Sequence, residues 1–137
     1  MKSIQIRKYG GSDVIEINQT TPTPTLTAVN VLVQIKAAGI NPIDWKIREG
    51  YMQQMIPLQF PSILGMDFSG VIKQIGDGLT SSDFKQGDEV YGQAGVTNGG
   101  SGAFAELALA NVDRIAHKSK RLNYLEAAAI PLVGVSA

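Results

Sequence analysis

Between residues 29 and 50 the chain runs from a period-two strand into a short capped helix, and any fold must build that corner. Val29, Val31, Val33, Ile35 and Ala37 alternate with Asn30, Gln34 and Lys36, which sends one side of a strand to the core. The chain then turns at Gly39. Asn41 suits the N-cap, and Pro42 suits the first helical position, where a missing N–H costs nothing. Asp44 falls in the first turn, where the helix dipole favours it, and Gly50 stands where a left-handed residue closes a helix. The helix is therefore expected over 41–49. A strand that ends in a capped helix presents N–H groups and polar side chains at a defined mouth, one way to build a ligand site. A plain structural corner is the other reading of the same residues.

The rest of the chain is read in the same way. Ile4 and Ile6 alternate with polar residues, Gly10-Gly11 breaks the run and Val14-Ile15-Glu16-Ile17 resumes it, a β-hairpin pattern. Thr20 to Thr27, with Pro22 and Pro24, is an extended connector. Met52, Met55, Pro57 and Pro61 mark an irregular apolar loop, either a pocket cover or loose core packing. Phe68 to Ile75 is a further strand, interrupted by Gly70 and turned at Gly76-Asp77-Gly78. Phe84 to Asp88 makes a tight turn into Glu89-Val90-Tyr91, and Asn98-Gly99-Gly100 reads as a hairpin leading into Phe104 to Ala110. Asn123 and Glu126 form a capping box that opens a helix over 123–129, which Pro131 ends, and Leu132 begins another element. Fifteen glycines spread between apolar runs fit a β-rich domain with many turns.

Several function classes recede on composition. Twelve basic residues balance twelve acidic ones, which gives no electrostatic footprint for nucleic acid or an anionic membrane. No apolar run reaches bilayer length, and the first residues read as a strand rather than a signal peptide's apolar core. With zero cysteines there are no disulfides and no thiolate metal ligands, as expected of a cytoplasmic protein. No Gly-x-Gly-x-x-Gly follows a strand, and the stretch 95–102 lacks a Gly-Lys-Ser/Thr ending, so it reads as a hairpin loop. His117, the single histidine, lies among lysines and reads as a solvated residue rather than a metal ligand. Asp44 and Asp67 leave a paired-carboxylate hydrolase open, with nothing else in support.

Five segments occurring in order carry a resemblance. They are Ala37 to Gly50, Pro61 to Ile72 (PSILGMDFSGVI), Lys85 to Gly92 (KQGDEVYG), Gly102 to Glu106 (GAFAE) and Glu126 to Ala137 (EAAAIPLVGVSA). Together they resemble the N-terminal half of the medium-chain dehydrogenase/reductase superfamily, in its zinc-independent, quinone-oxidoreductase-like branch. The resemblance implies a mainly β, GroES-like β-barrel with short helices over residues 1–122. Residues 123–137 would form a linking helix and the start of a Rossmann domain that follows in the family. The 137 residues are then expected to be a fragment, catalytically silent alone.

The same resemblance assigns roles. Zinc-dependent relatives hold their metal with a Cys, a His and a second Cys; here Asn41, Met66 and Leu132 stand at the matching positions, and Ile43 replaces the proton-relay hydroxyl. An amide, a thioether and an alkyl group do not make a tetrahedral zinc site, so no zinc is expected. What remains is direct hydride transfer from NADP(H) to a quinone or enone, whose conjugation spreads the developing charge. Asn41, Pro42 and Ser136 are implied to border the cofactor. Asn41, Ile43, Trp45, Tyr51 and Met66 are implied to face substrate, with core packing as the alternative for Trp45, Tyr51 and Met66. Lys46, one turn along, is the candidate catalytic hydrogen-bond donor. An exposed domain edge suggests a homodimer or other self-association. The alternative from another class is a GroES-like binding or chaperone module without chemistry.

Overall fold

The computed structural model describes residues 1–79 and 83–136, the side chain of Ser136 excepted. The expected N-terminal hairpin is present: β1 (Ser3–Ile6) pairs antiparallel with β2 (Glu16–Asn18), Ile4 opposite Ile17. Its faces differ from the alternation, however. Ser3 and Gln5 are buried, while Ile17 is exposed. The polar face is satisfied by hydrogen bonds between Ser3 Oγ and Thr21 Oγ1 (2.6 Å) and from Gln5 Nε2 to Glu16 Oε1 (2.6 Å). A short strand β4 (Ser62–Ile63) pairs with the other edge of β1 and completes a three-stranded sheet in the order β2-β1-β4.

The second sheet has five strands in the order β7-β3-β5-β6-β8, every pair antiparallel. They are β3 (Asn30–Gly39), β5 (Asp67–Ile75), β6 (Glu89–Gln93), β7 (Leu107–Asn111) and β8 (Ile115–His117). Val31 and Val33 are buried, as the period-two pattern requires, but Asn30 and Leu32 are buried as well, so the first half of β3 is covered on both faces, and Val29, expected on the core side, lies before the strand and is exposed. The core gathers Val31, Val33, Phe68, Ile72 and Val90 with Ala94, Ala103, Ala108 and Ala110. Register shifts in the β3–β5 pair, between Leu32 and Val33 and between Ile35 and Ala37, bend the ladder. A Cβ at Gly70 would stand 2.1 Å from the Gln34 carbonyl oxygen, which is why this strand position carries no side chain.

Three expectations need correction. The mainly β, GroES-like fold is as expected, but among the described residues the ladders do not close into a barrel: β7 and β8 are the edges of the larger sheet, and a single bridge, Ser3 to Ala105, joins it to the smaller one. Asn98-Gly99-Gly100 does not form a β-hairpin, because β6 pairs with β5 while β7 crosses to β3. The local turn chemistry is real, with a 3-10 turn over Val96–Asn98 and Gly99 at φ +75°, but the flanking strands find other partners. Nor does the chain turn at Gly39. There β3 continues to its pairing with Asp67, and the missing side chain admits another element, since a Cβ would meet the Ala128 carbonyl oxygen at 2.5 Å.

That element is α2 (Tyr124–Ala128), opened by the expected Asn123–Glu126 capping box, with Asn123 Oδ1 accepting from Glu126 N at 2.7 Å. Pro131 follows its end and is the first residue of α3 (Pro131–Ser136). Both helices pack on the larger sheet, α2 on β3 and β5, α3 on β6 and β5. Ser69 Oγ donates to the Tyr124 carbonyl at 2.6 Å. The Tyr124 hydroxyl is pushed up to about 12, first by its hydrogen bond with Glu89, then by burial and the Glu89 charge. His117 is half-exposed and stacks on Phe84 with ring centroids 4.6 Å apart.

Candidate active site

The candidate mouth is the corner where β3 ends and α1 (Pro42–Arg48) begins. Asn41 is the N-cap in extended conformation, and the Asp44 carboxylate Oδ2 accepts from the Asn41 backbone N–H at 2.7 Å. At the other end Gly50, at φ +90°, closes a Schellman motif: Tyr51 N donates to the Lys46 carbonyl (3.0 Å) and Gly50 N to that of Ile47 (3.1 Å). Gly10 N donates to the Arg48 carbonyl at 3.1 Å, and Arg48 Nε returns a bond to the Gly10 carbonyl at 3.2 Å, which ties the helix to the first hairpin.

Helical spacing separates two faces. Asp44 and Ile47 are buried, whereas Pro42, Trp45 and Lys46 are exposed. Trp45 and Tyr51 meet edge to face with centroids 5.6 Å apart, and Lys46 Nζ lies 5.9 Å from the Trp45 ring centroid. The outer face thus carries an aromatic wall with one cation. Asn41 and Ile43 are half-buried. Met66 is buried and turned inward, against Gly95 and beside Asp44 and Ile47, so the fold does not bring it to this outer wall. The Ser136 side chain lies outside the described residues.

In the sequence Asp67 stands out only as one of a carboxylate pair with Asp44, and the structure gives it a different place. It is 1% exposed at the first position of β5. Its Oδ2 accepts from Asn41 Nδ2 at 2.9 Å and from the Leu132 backbone N–H at 3.1 Å. An acid inside the apolar run Ile63–Phe68 was the available signal, because a carboxylate is almost never fully buried without partners. The positions Asn41 and Leu132, distant in sequence, therefore converge on one carboxylate. Among the described residues no three His, Cys, Asp or Glu side chains come together as metal ligands.

Asp44 titrates abnormally. Burial pushes its carboxyl above the ordinary aspartate value of 3.8; the hydrogen bond from Asn41 draws it down, and the Asp67 charge pushes it up again. A proton held more tightly in the folded than in the unfolded chain stabilises at low pH, and that stabilisation is lost as pH rises from the ordinary value through the raised folded one. Asp44→Asn keeps an oxygen for the Asn41 N–H and removes the charge. It is expected to match or exceed the wild type in unfolding midpoint at pH 7. The difference should shrink or reverse on acidification through the carboxylate range. A difference that does not vary with pH would rule this out.

Residues 27–120 match the family described as alcohol dehydrogenase GroES-like domain. The chain is 32% identical to the chloroplast envelope quinone oxidoreductase homolog of Arabidopsis thaliana, over 100% of this chain and 40% of that protein. The structure of the quinone oxidoreductase from Coxiella burnetii superposes with a TM-score of 0.86 at 34% identity, covering 98% of this chain and 42% of that one. The Escherichia coli quinone oxidoreductase complexed with NADPH gives 0.83 at 29% identity, over 99% and 39%. The chain spans about 40% of the length of these curated relatives.

Proposed function

This chain belongs to the alcohol dehydrogenase GroES-like domain family, within the medium-chain dehydrogenase/reductase superfamily, and on that premise we propose that it forms the substrate-side wall of an NADPH-dependent, zinc-independent reductase of quinones or activated alkenes. The observation that carries the proposal is the corner at Asn41: a half-buried carboxamide held by Asp67 at the N-cap of a short helix, where Trp45 on the helix and Tyr51 after it form an exposed aromatic pair. Relatives named as quinone oxidoreductases, one of them complexed with NADPH, support the substrate class and the cofactor.

NADPH, when bound, supplies the hydride. The described residues show no Gly-rich strand-to-helix turn to grip its phosphates, so these residues fit the nicotinamide end only, with Asn41 and Pro42 at its border. The chain's own work is positional. Trp45 and Tyr51 offer flat apolar surface to a planar conjugated acceptor and displace water from it. Asn41 offers an amide N–H, and Lys46 an ammonium, to the oxygen on which charge develops. Zinc does not fit: the Asn41 amide nitrogen donates to Asp67, Met66 is turned inward, and Leu132 contributes its backbone N–H. Residues 123–137 are read as the link to a nucleotide-binding domain. The 137 residues by themselves are then expected to be silent. Exposed Leu125, Val133 and Val135 give α2 and α3 an apolar outer face, consistent with homodimeric self-association.

The test is NADPH oxidation by the complete protein with a benzoquinone and an enone, with metal content measured on the same preparation. Turnover with either acceptor and less than stoichiometric zinc is expected. No turnover, or one zinc per chain, would sink the reading. Lys46→Met should lower kcat on the order of a hundredfold if the ammonium assists the developing charge. Unchanged kinetics would remove Lys46 from the site.

A further inference from the structure

Asp67 is fully enclosed, yet its two oxygens are treated unequally. Oδ2 accepts from Asn41 Nδ2 (2.9 Å) and from Leu132 N (3.1 Å), while Oδ1 has no partner among the described residues. A carboxylate can only accept, so it obliges Asn41 to present its amide nitrogen rather than its oxygen. The Asn41 main chain is fixed as well, its N–H held by Asp44 Oδ2 at 2.7 Å. One Nδ2–H is thereby committed, and the second is left at a half-buried position in the mouth with no partner among the described residues.

We propose that Asp67 is the positioning residue of this site: it fixes the Asn41 carboxamide so that its second N–H donates to the carbonyl oxygen of the quinone or enone. By holding the Leu132 N–H on the same oxygen it also keeps α3 seated beside that mouth. The substrate part of this inference rests on the reading above; the orientation of the amide does not. A freely rotating carboxamide would offer its oxygen as often as its nitrogen, and an oxygen repels the charge that builds on the acceptor. The small misplacement this allows is of the kind that lowers turnover by a large factor.

The experiment uses the complete protein and the variants Asn41→Ala, Asp67→Ala, Asp67→Asn, Asp67→Glu and Asn41→Ala/Asp67→Ala. Asp67→Ala is expected to lower kcat/KM for benzoquinone roughly tenfold to a hundredfold, with the KM for NADPH moving less than about twofold. The double variant should be no slower than Asn41→Ala alone, because one residue acts through the other. Asp67→Asn, which keeps the shape and one acceptor oxygen, should fall between, and Asp67→Glu should recover most of the rate. Multiplicative losses in the double variant, or an unaffected Asp67→Ala, would overturn the proposal. An independent readout is the Asn41 side-chain amide in protein labelled with 15N-asparagine, identified by its loss in Asn41→Ala. One of its two N–H signals should be shifted downfield and slow to exchange, and Asp67→Asn should weaken both features. If the wild type reduces no quinone, the substrate reading fails, while these signals still decide whether Asp67 orients Asn41.

Discussion

Phe68→Ala is expected to lower stability by about 3–5 kcal/mol, the largest effect of any single truncation in this fold. Phe68 is fully buried and stands among Val31, Val33, Ile72 and Val90. The other fully buried members are Ala94, Ala103, Ala108 and Ala110, too short to lean into a vacated space, and the longer Ile35, Ile75, Leu79, Phe84 and Ile115 pack only from the rim. These residues sit on paired strands and the turns between them, so the backbone cannot close in without breaking ladder hydrogen bonds. The cavity term therefore adds to the lost transfer energy instead of being relieved. Against a total of about 5–15 kcal/mol for an ordinary domain, the loss is severe. Phe68→Leu, which keeps most of the volume, should cost about 1.5 kcal/mol or less. Urea midpoints at unchanged slope measure both. A loss below about 1 kcal/mol for the alanine variant would mean that the core is plastic here.

Structure with a local cause is legible in the sequence. The two ends of α1 are such a case: Asn41, Pro42, Asp44 and Gly50 act within one turn of themselves, and their chemistry was enough to place the helix. The capping box at Asn123 and Glu126 is another. Structure whose partner lies far along the chain is not legible in this way. Gly39 looked like a turn residue, yet what it answers to is the carbonyl of Ala128. Asn98-Gly99-Gly100 has turn chemistry, but strand pairing is decided by which edges are free, and β3 already offers one to β7. Buried Ser3 and Gln5 reversed the simple inside–outside rule because Thr21 and Glu16 come back to satisfy them. Within the mouth, Asn41, Trp45, Lys46 and Tyr51 were legible as neighbours on one helix. Asp67 was not, since its importance comes from the two donors that the fold delivers to it.

Gly39→Val is expected to damage stability and the mouth together, and the comparison with a second glycine shows why. An added Cβ at Gly39 would lie 2.5 Å from the Ala128 carbonyl oxygen and 3.2 Å from Asp67 Cβ. The first of these is a backbone atom of α2, so relief requires the helix to lift from β3. Overpacking of this kind costs about 1–3 kcal/mol, and the branched side chain of valine places the effect at the upper end. Because α3 follows α2 directly, lifting α2 pulls the Leu132 N–H from Asp67, and the Asn41 amide loses part of its anchor. Quinone kcat/KM in the complete protein should then fall along with the unfolding midpoint. Gly87 provides the contrast. It sits at φ +93° with nothing among the described residues within 4 Å of an added Cβ, so Gly87→Ala meets backbone strain, about 1 kcal/mol, and should leave kinetics untouched. If Gly39→Val melts with the wild type, the helix pair is not pressed against β3, and the coupling between α3 and the mouth through Asp67 has no mechanical basis.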